Sequence, residues 1–154
     1  MVNEKPKMPK IMVKETRKHP ANKGCAVIVD YNFPFKDLLN QRREYNVSPE
    51  INSINFPTNK KGKKQITVRW FSLKCRPVIR SPGFEREIML IEEKGYEPVN
   101  SRELISATNQ YERVPLSSPM MAFGEPFDIG NSLMVLCVSG IKDSEKVNLY
   151  LQAV

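Results

Sequence analysis

The period of apolar positions changes several times along this chain, and each change marks an element. Residues 25 to 30 form an apolar, β-branched run of strand length between Gly24 and Asn32. The period then lengthens: Phe35, Leu38, Leu39 and Arg42 share one helical face and Pro34 suits a first turn, which predicts a short amphipathic helix. Residues 46 to 65 carry Pro49, Pro57, Gly62 and several Asn and Ser side chains, so they read as loop and turn. Alternation returns after Gln65, where Ile66, Val68 and Trp70 oppose Thr67, Arg69 and Phe71. Both faces become apolar toward its end, the mark of a central strand with Arg69 at a margin.

Two helices are expected next. Ser81 suits an N-cap with Pro82 behind it, and Glu85 and Glu87 lie toward the positive end of the dipole. Phe84, Ile88, Met89 and Ile91 supply a stripe to bury, and Gly95 can take the left-handed conformation that stops a helix. Pro98 holds the chain extended, and Asn100 with Glu103 has the spacing of a capping box. Leu104, Ile105 and Ala107 give the second helix a small apolar face. Residues 120–127, 131–140 and 145–154 read as three strands, the last two joined in a hairpin at 141–144. This order predicts a single α+β domain over residues 23–154, with a mostly antiparallel sheet and about three short helices. Residues 1–22, rich in Lys and Pro, are expected to be a flexible basic tail in which 10–15 form at most an edge strand.

At 154 residues and 40% hydrophobic content, the chain suits one domain with a real core. It has no run of ~18 apolar residues and no apolar stretch near its start, so a soluble, cytoplasmic protein without membrane contact is expected. The net charge of +7 is uneven. Residues 1–24 carry +5, residues 59–82 carry +8 with no acid, and the remainder carries −6. An acidic body thus bears two basic features. Lys60, Lys61, Lys63, Lys64 and Arg69 are the candidate nucleic-acid contacts, with Trp70 and Phe71 near enough to stack on bases. Lysines on a loop tip also serve simply to solubilise it and to guard a strand edge. Trp70 and Phe71 point to opposite faces of a strand, so at most one of them can join such a platform.

Catalytic chemistry finds little to rest on. The single histidine, His19, falls in the expected tail, and Glu85, Glu87, Glu92 and Glu93 have the spacing of exposed helix acids. Cys25, Cys75 and Cys137 are odd in number and lack zinc-ligand spacing, so no metal and no cofactor are expected, and Cys25 and Cys137, in apolar strand-like runs, are expected to be buried thiols. Met120, Met121, Phe123 and Phe127 are either a core strand, the favoured reading, or an adaptable contact patch.

The runs V-D-Y at 29–31, N-F-P at 55–57 and G-Y-E-P-V-N-S-R-E-L at 95–104 resemble, in order and spacing, a family of small uncharacterised bacterial proteins. Glu97 and Val99 stand where that family usually has Arg and Ala. The family has no assigned activity, so the resemblance carries over no catalytic residue. The expected function is therefore a non-catalytic binding or interaction domain for a protein or small molecule. The alternative is a nucleic-acid-binding protein that uses the basic loop 59–65 and the N-terminal tail.

Overall fold

Ile11, Met12 and Val13 are wholly buried at the centre of a sheet, where the sequence promises only a tail. The structure, a computed structural model, describes residues 8–18, 24–41, 43–53, 56, 60–111, 114–141 and 144–154. Its first strand, β1 (Lys10–Glu15), pairs antiparallel with β4 (Lys63–Ser72) along one edge. Along its other edge it meets β6 (Met120–Ile129) at Lys10 and Ile11, and then β5 (Tyr96–Pro98) from Val13 to Glu15. The expected flexible tail is thus corrected over residues 10–15. Residues 1–7 and 19–22 of the expected tail lie outside the described residues.

The remaining strands are β2 (Cys25–Asp30), β3 (Tyr45–Val47), β7 (Ser132–Gly140) and β8 (Val147–Ala153). They complete an eight-stranded sheet in the order β2-β4-β1-β6-β7-β8-β3, with β5 beside β1. The β7–β8 hairpin forms as expected, with Gly140 opposite Val147. The sheet is mixed and not mostly antiparallel, because β1 runs parallel to β6 and β3 parallel to β8. Hairpin neighbours must be antiparallel, whereas β1 and β3 pair with strands distant in sequence, where no tight turn dictates direction. All of β3 but Tyr45, and a 3-10 turn at Pro49–Ser53, lie within the stretch expected to be loop.

Alternation along β1 divides the core. Met12 faces a layer made by α1 (Phe35–Leu38) and α3 (Ser101–Gln110), with Val27, Val29, Leu104 and Ile105 among its members. Ile11 and Val13 face α2 (Pro82–Glu93), which contributes Phe84 and Ile91. α1 is a single turn, shorter than the expected helix.

Both expected caps of α2 and α3 are present: Ser81 accepts from the Phe84 N–H, and Asn100 and Glu103 close a full capping box. The α2–α3 connection carries the chain from one face of the sheet to the other. Gly95 turns it at φ +89°, β5 passes along β1, and the Val99 N–H bonds the Met12 carbonyl. Gly124 lets β6 press against this crossing, its N–H 2.7 Å from the Val99 carbonyl. There the β6–β7 register shifts between Ala122 and Phe127.

Candidate functional site

β1, β2 and β6 point the same way, since β1 and β2 both oppose β4 and β6 is parallel to β1. Lys14 near the end of β1, Tyr31 just past β2 and Glu125 at the bulge of β6 therefore gather at one edge of the sheet, beside the N-terminus of α3. In α/β sheets the carboxyl ends of strands are where ligands commonly sit. Here the position is filled by protein.

Glu103, with no solvent exposure, accepts at one oxygen from the Lys14 ammonium and the Tyr31 hydroxyl, both at 2.6 Å. Its other oxygen takes the Asn100 N–H at 2.8 Å. Lys60 approaches the first oxygen at 3.6 Å and lies over the Tyr31 ring, while Glu97 reaches Lys14 at 3.4 Å.

Burial alone would raise the Glu103 pKa, but the Asn100 N–H, Lys14 and Tyr31 together hold it below the usual carboxylate range. Burial lowers the Lys14 pKa and Glu103 more than restores it, so Lys14 keeps its proton above the ordinary lysine range. Burial, followed by the bond to Glu103, pushes the Tyr31 hydroxyl upward. Burial, followed by the neighbouring Lys14, pushes the Lys60 pKa down, so Lys60 is the member whose charge the site disfavours, while Lys14, Tyr31 and Glu103 clamp α3 to β1 and β2. Arg102 adds a second tie, donating to the Phe56 carbonyl at 3.0 Å and to the Phe33 carbonyl.

The five basic residues singled out from the sequence are not brought together. Lys60 turns inward to Glu103, while Lys61, Lys63 and Lys64 are exposed. Arg69 lies on the α2 face, donating to the Tyr96 hydroxyl at 2.7 Å. Trp70, half-buried, packs against the α3-side core and Phe71, half-buried, against the α2-side core, so the two rings lie on opposite faces of the sheet and form no joint stacking platform. Met120, Met121 and Phe123 are buried, as a core strand requires. Cys25 and Cys75 are half-buried, and burial pushes the Cys137 thiol up to about 12. Among the described residues no group of His, Cys, Asp or Glu is placed to hold a metal, and no helix is long and apolar enough to cross a membrane. His19 lies outside the described residues.

What the sequence did not announce is an apolar groove of about 320 Å³ beside α2. Ile88 and Met89 form its helical wall, Phe84 and Phe123 its floor, Pro98 and Pro126 its far side, and Glu85 and Glu92 its rim. Met89, expected in the buried stripe, is 54% exposed. The helix rests on the sheet through Phe84 and Ile91 and leaves the neighbouring face uncovered. Hollows of about 510 and 520 Å³ also flank Arg43 and Glu44. Compared with known proteins, the chain matches no family model, no curated protein and no solved structure.

Proposed function

We propose that this chain is a non-catalytic interaction domain whose α2 face receives a segment of a partner protein. The observation that carries the reading is the apolar groove beside α2, where exposed Met89 stands next to Ile88 above the buried Phe84 and Phe123 rings. Contiguous exposed apolar surface rimmed by polar groups is typical of interaction sites. The buried charge cluster supports the non-catalytic part of the reading, because both Glu103 oxygens accept from Lys14, Tyr31 and the Asn100 N–H.

The alternative, polynucleotide binding through Lys61, Lys63 and Lys64, has less support, since Lys60, Arg69, Trp70 and Phe71 are all engaged elsewhere.

Titration with a neutral apolar dye such as Nile red tests the proposal. Saturable binding that Met89→Glu abolishes, with the fold intact by circular dichroism, is expected. Absence of saturable binding, or binding indifferent to Met89→Glu, overturns it.

A further inference from the structure

On the α2 wall of the groove, Glu85, Ile88, Met89 and Glu92 stand at i, i+3, i+4 and i+7. They form one helical face with two apolar residues between two acids. The acids are two turns apart, about 10 Å along the axis at ~1.5 Å per residue. Among the described residues no Lys or Arg lines the groove.

Resting on the interaction reading above, we infer that the occupant is a basic amphipathic helix of another protein, with two adjacent apolar residues between lysines or arginines two turns apart.

Three features of the groove select this occupant. A helix packed against α2 can place its two apolar residues over Ile88 and Met89 while its flanking cations meet Glu85 and Glu92. Met89 is unbranched and adapts to the entering side chains, whereas the Phe84 and Phe123 rings, 4.8 Å apart, give a stiff floor. An extended peptide is disfavoured, because strand addition needs backbone donors and the far wall is built of Pro98 and Pro126, which have no N–H. A second copy of this chain is disfavoured as well. A two-fold contact would bring Glu85 and Glu92 against their own equivalents, and like charges repel.

The test uses the full chain and a fluorescein-labelled synthetic helix of the pattern Lys-Ala-Ala-Leu-Leu-Ala-Ala-Lys, with a Glu-for-Lys version as control. Fluorescence anisotropy is expected to show saturable binding of the basic peptide and markedly weaker binding of the acidic one. The double variant Glu85→Gln/Glu92→Gln should weaken the basic peptide by about two- to tenfold, as exposed ion pairs allow, and Met89→Glu should abolish binding. Equal binding of both peptides, or binding of the dye but not of the basic peptide, overturns this inference and leaves the interaction reading standing. Self-association on ultracentrifugation that Met89→Glu removes overturns it in favour of a second copy. Failure of both dye and peptide removes the interaction reading itself.

Discussion

Lys14 on β1 donates to Glu103 on α3 across 2.6 Å, although 89 positions separate them in the chain. Both side chains are buried, at 8% and 0% exposure, so Glu103 is the main compensation Lys14 has for lost water, while Glu103 relies on the Asn100 N–H first and on Lys14 and Tyr31 next. Breaking a buried pair from one side typically costs about 3–5 kcal/mol, because a charge is stranded, while replacing both partners is far milder. Lys14→Met and Glu103→Leu are each expected to destabilise by about 3 kcal/mol, and the double variant by less than their sum by at least ~1 kcal/mol. Urea unfolding of the four proteins measures this, and additive losses would show that the two do not act as a pair.

The same carboxylate sets an acid limit. Because the folded pKa of Glu103 lies below its ordinary value of 4.5, its contribution is complete above that value and disappears as pH falls through the folded one. Stability of the parent should therefore fall more steeply than that of Glu103→Gln as the pH drops below 4.5. Parallel curves in that window would remove Glu103 from the acid response.

Gly124 and Gly95 are expected to resist substitution for different reasons. A Cβ on Gly124 would lie 2.6 Å from the Pro98 carbonyl oxygen and 2.7 Å from that of Val99, so Gly124→Ala must part β6 from the crossing strand at about 1–3 kcal/mol. Gly95→Val meets φ +89°, where a β-branched side chain is strained, and should lose more than ~1 kcal/mol. Thermal melts with unchanged midpoints would contradict both.

Lys60 and Lys61 are neighbours in sequence but not in role. Burial and the neighbouring Lys14 push the Lys60 pKa down, so its charge is disfavoured in the fold despite Glu103, and neither Lys60→Gln nor exposed Lys61→Gln should lower stability in urea unfolding. The triple change Lys61→Gln/Lys63→Gln/Lys64→Gln is expected to leave the fold intact and any polynucleotide affinity weak. If binding were instead tight, salt-sensitive and lost in that variant, with the salt slope flatter by roughly 0.9 for each duplex phosphate contact removed, the nucleic-acid alternative would take over.

The outer edge of β2 is closed by side chains. The Gln110 amide bonds both the Ile28 N–H, at 3.0 Å, and the Ile28 carbonyl, at 2.7 Å, while the Tyr111 hydroxyl takes the Ala26 carbonyl. One amide thus stands in for the peptide group of a missing neighbour strand. Gln110→Ala should cost about 1 kcal/mol and make the protein associate at high concentration, which light scattering would register. A monodisperse variant would show that the edge is protected in another way.

Local chemistry was enough to place α2 and α3, since Ser81, Pro82, Gly95, Asn100 and Glu103 announce their own ends. Alternation placed β4, β7 and β8. It did not place β1, because Pro9, Lys10 and Lys14 surround the apolar triplet and only neighbours on both edges make that triplet a central strand. For the same reason the charge cluster was illegible: Glu103 read as a cap, Lys14 as tail charge, Lys60 as loop charge, and nothing local joins them. Met89 misled in the other direction, since helical spacing marks the apolar side of α2 but not how far round the sheet covers it.

The central place of β1 also has a history during synthesis. Its partners begin only at Lys63, Tyr96 and Met120, so at ~5–20 residues per second roughly 3–10 s pass between completion of β1 and completion of β4. Throughout that interval Ile11, Met12 and Val13 leave the ribosome with no sheet to enter. Lys10 and Lys14, which bracket them, keep the nascent segment from early, wrong pairings until its partner strand arrives.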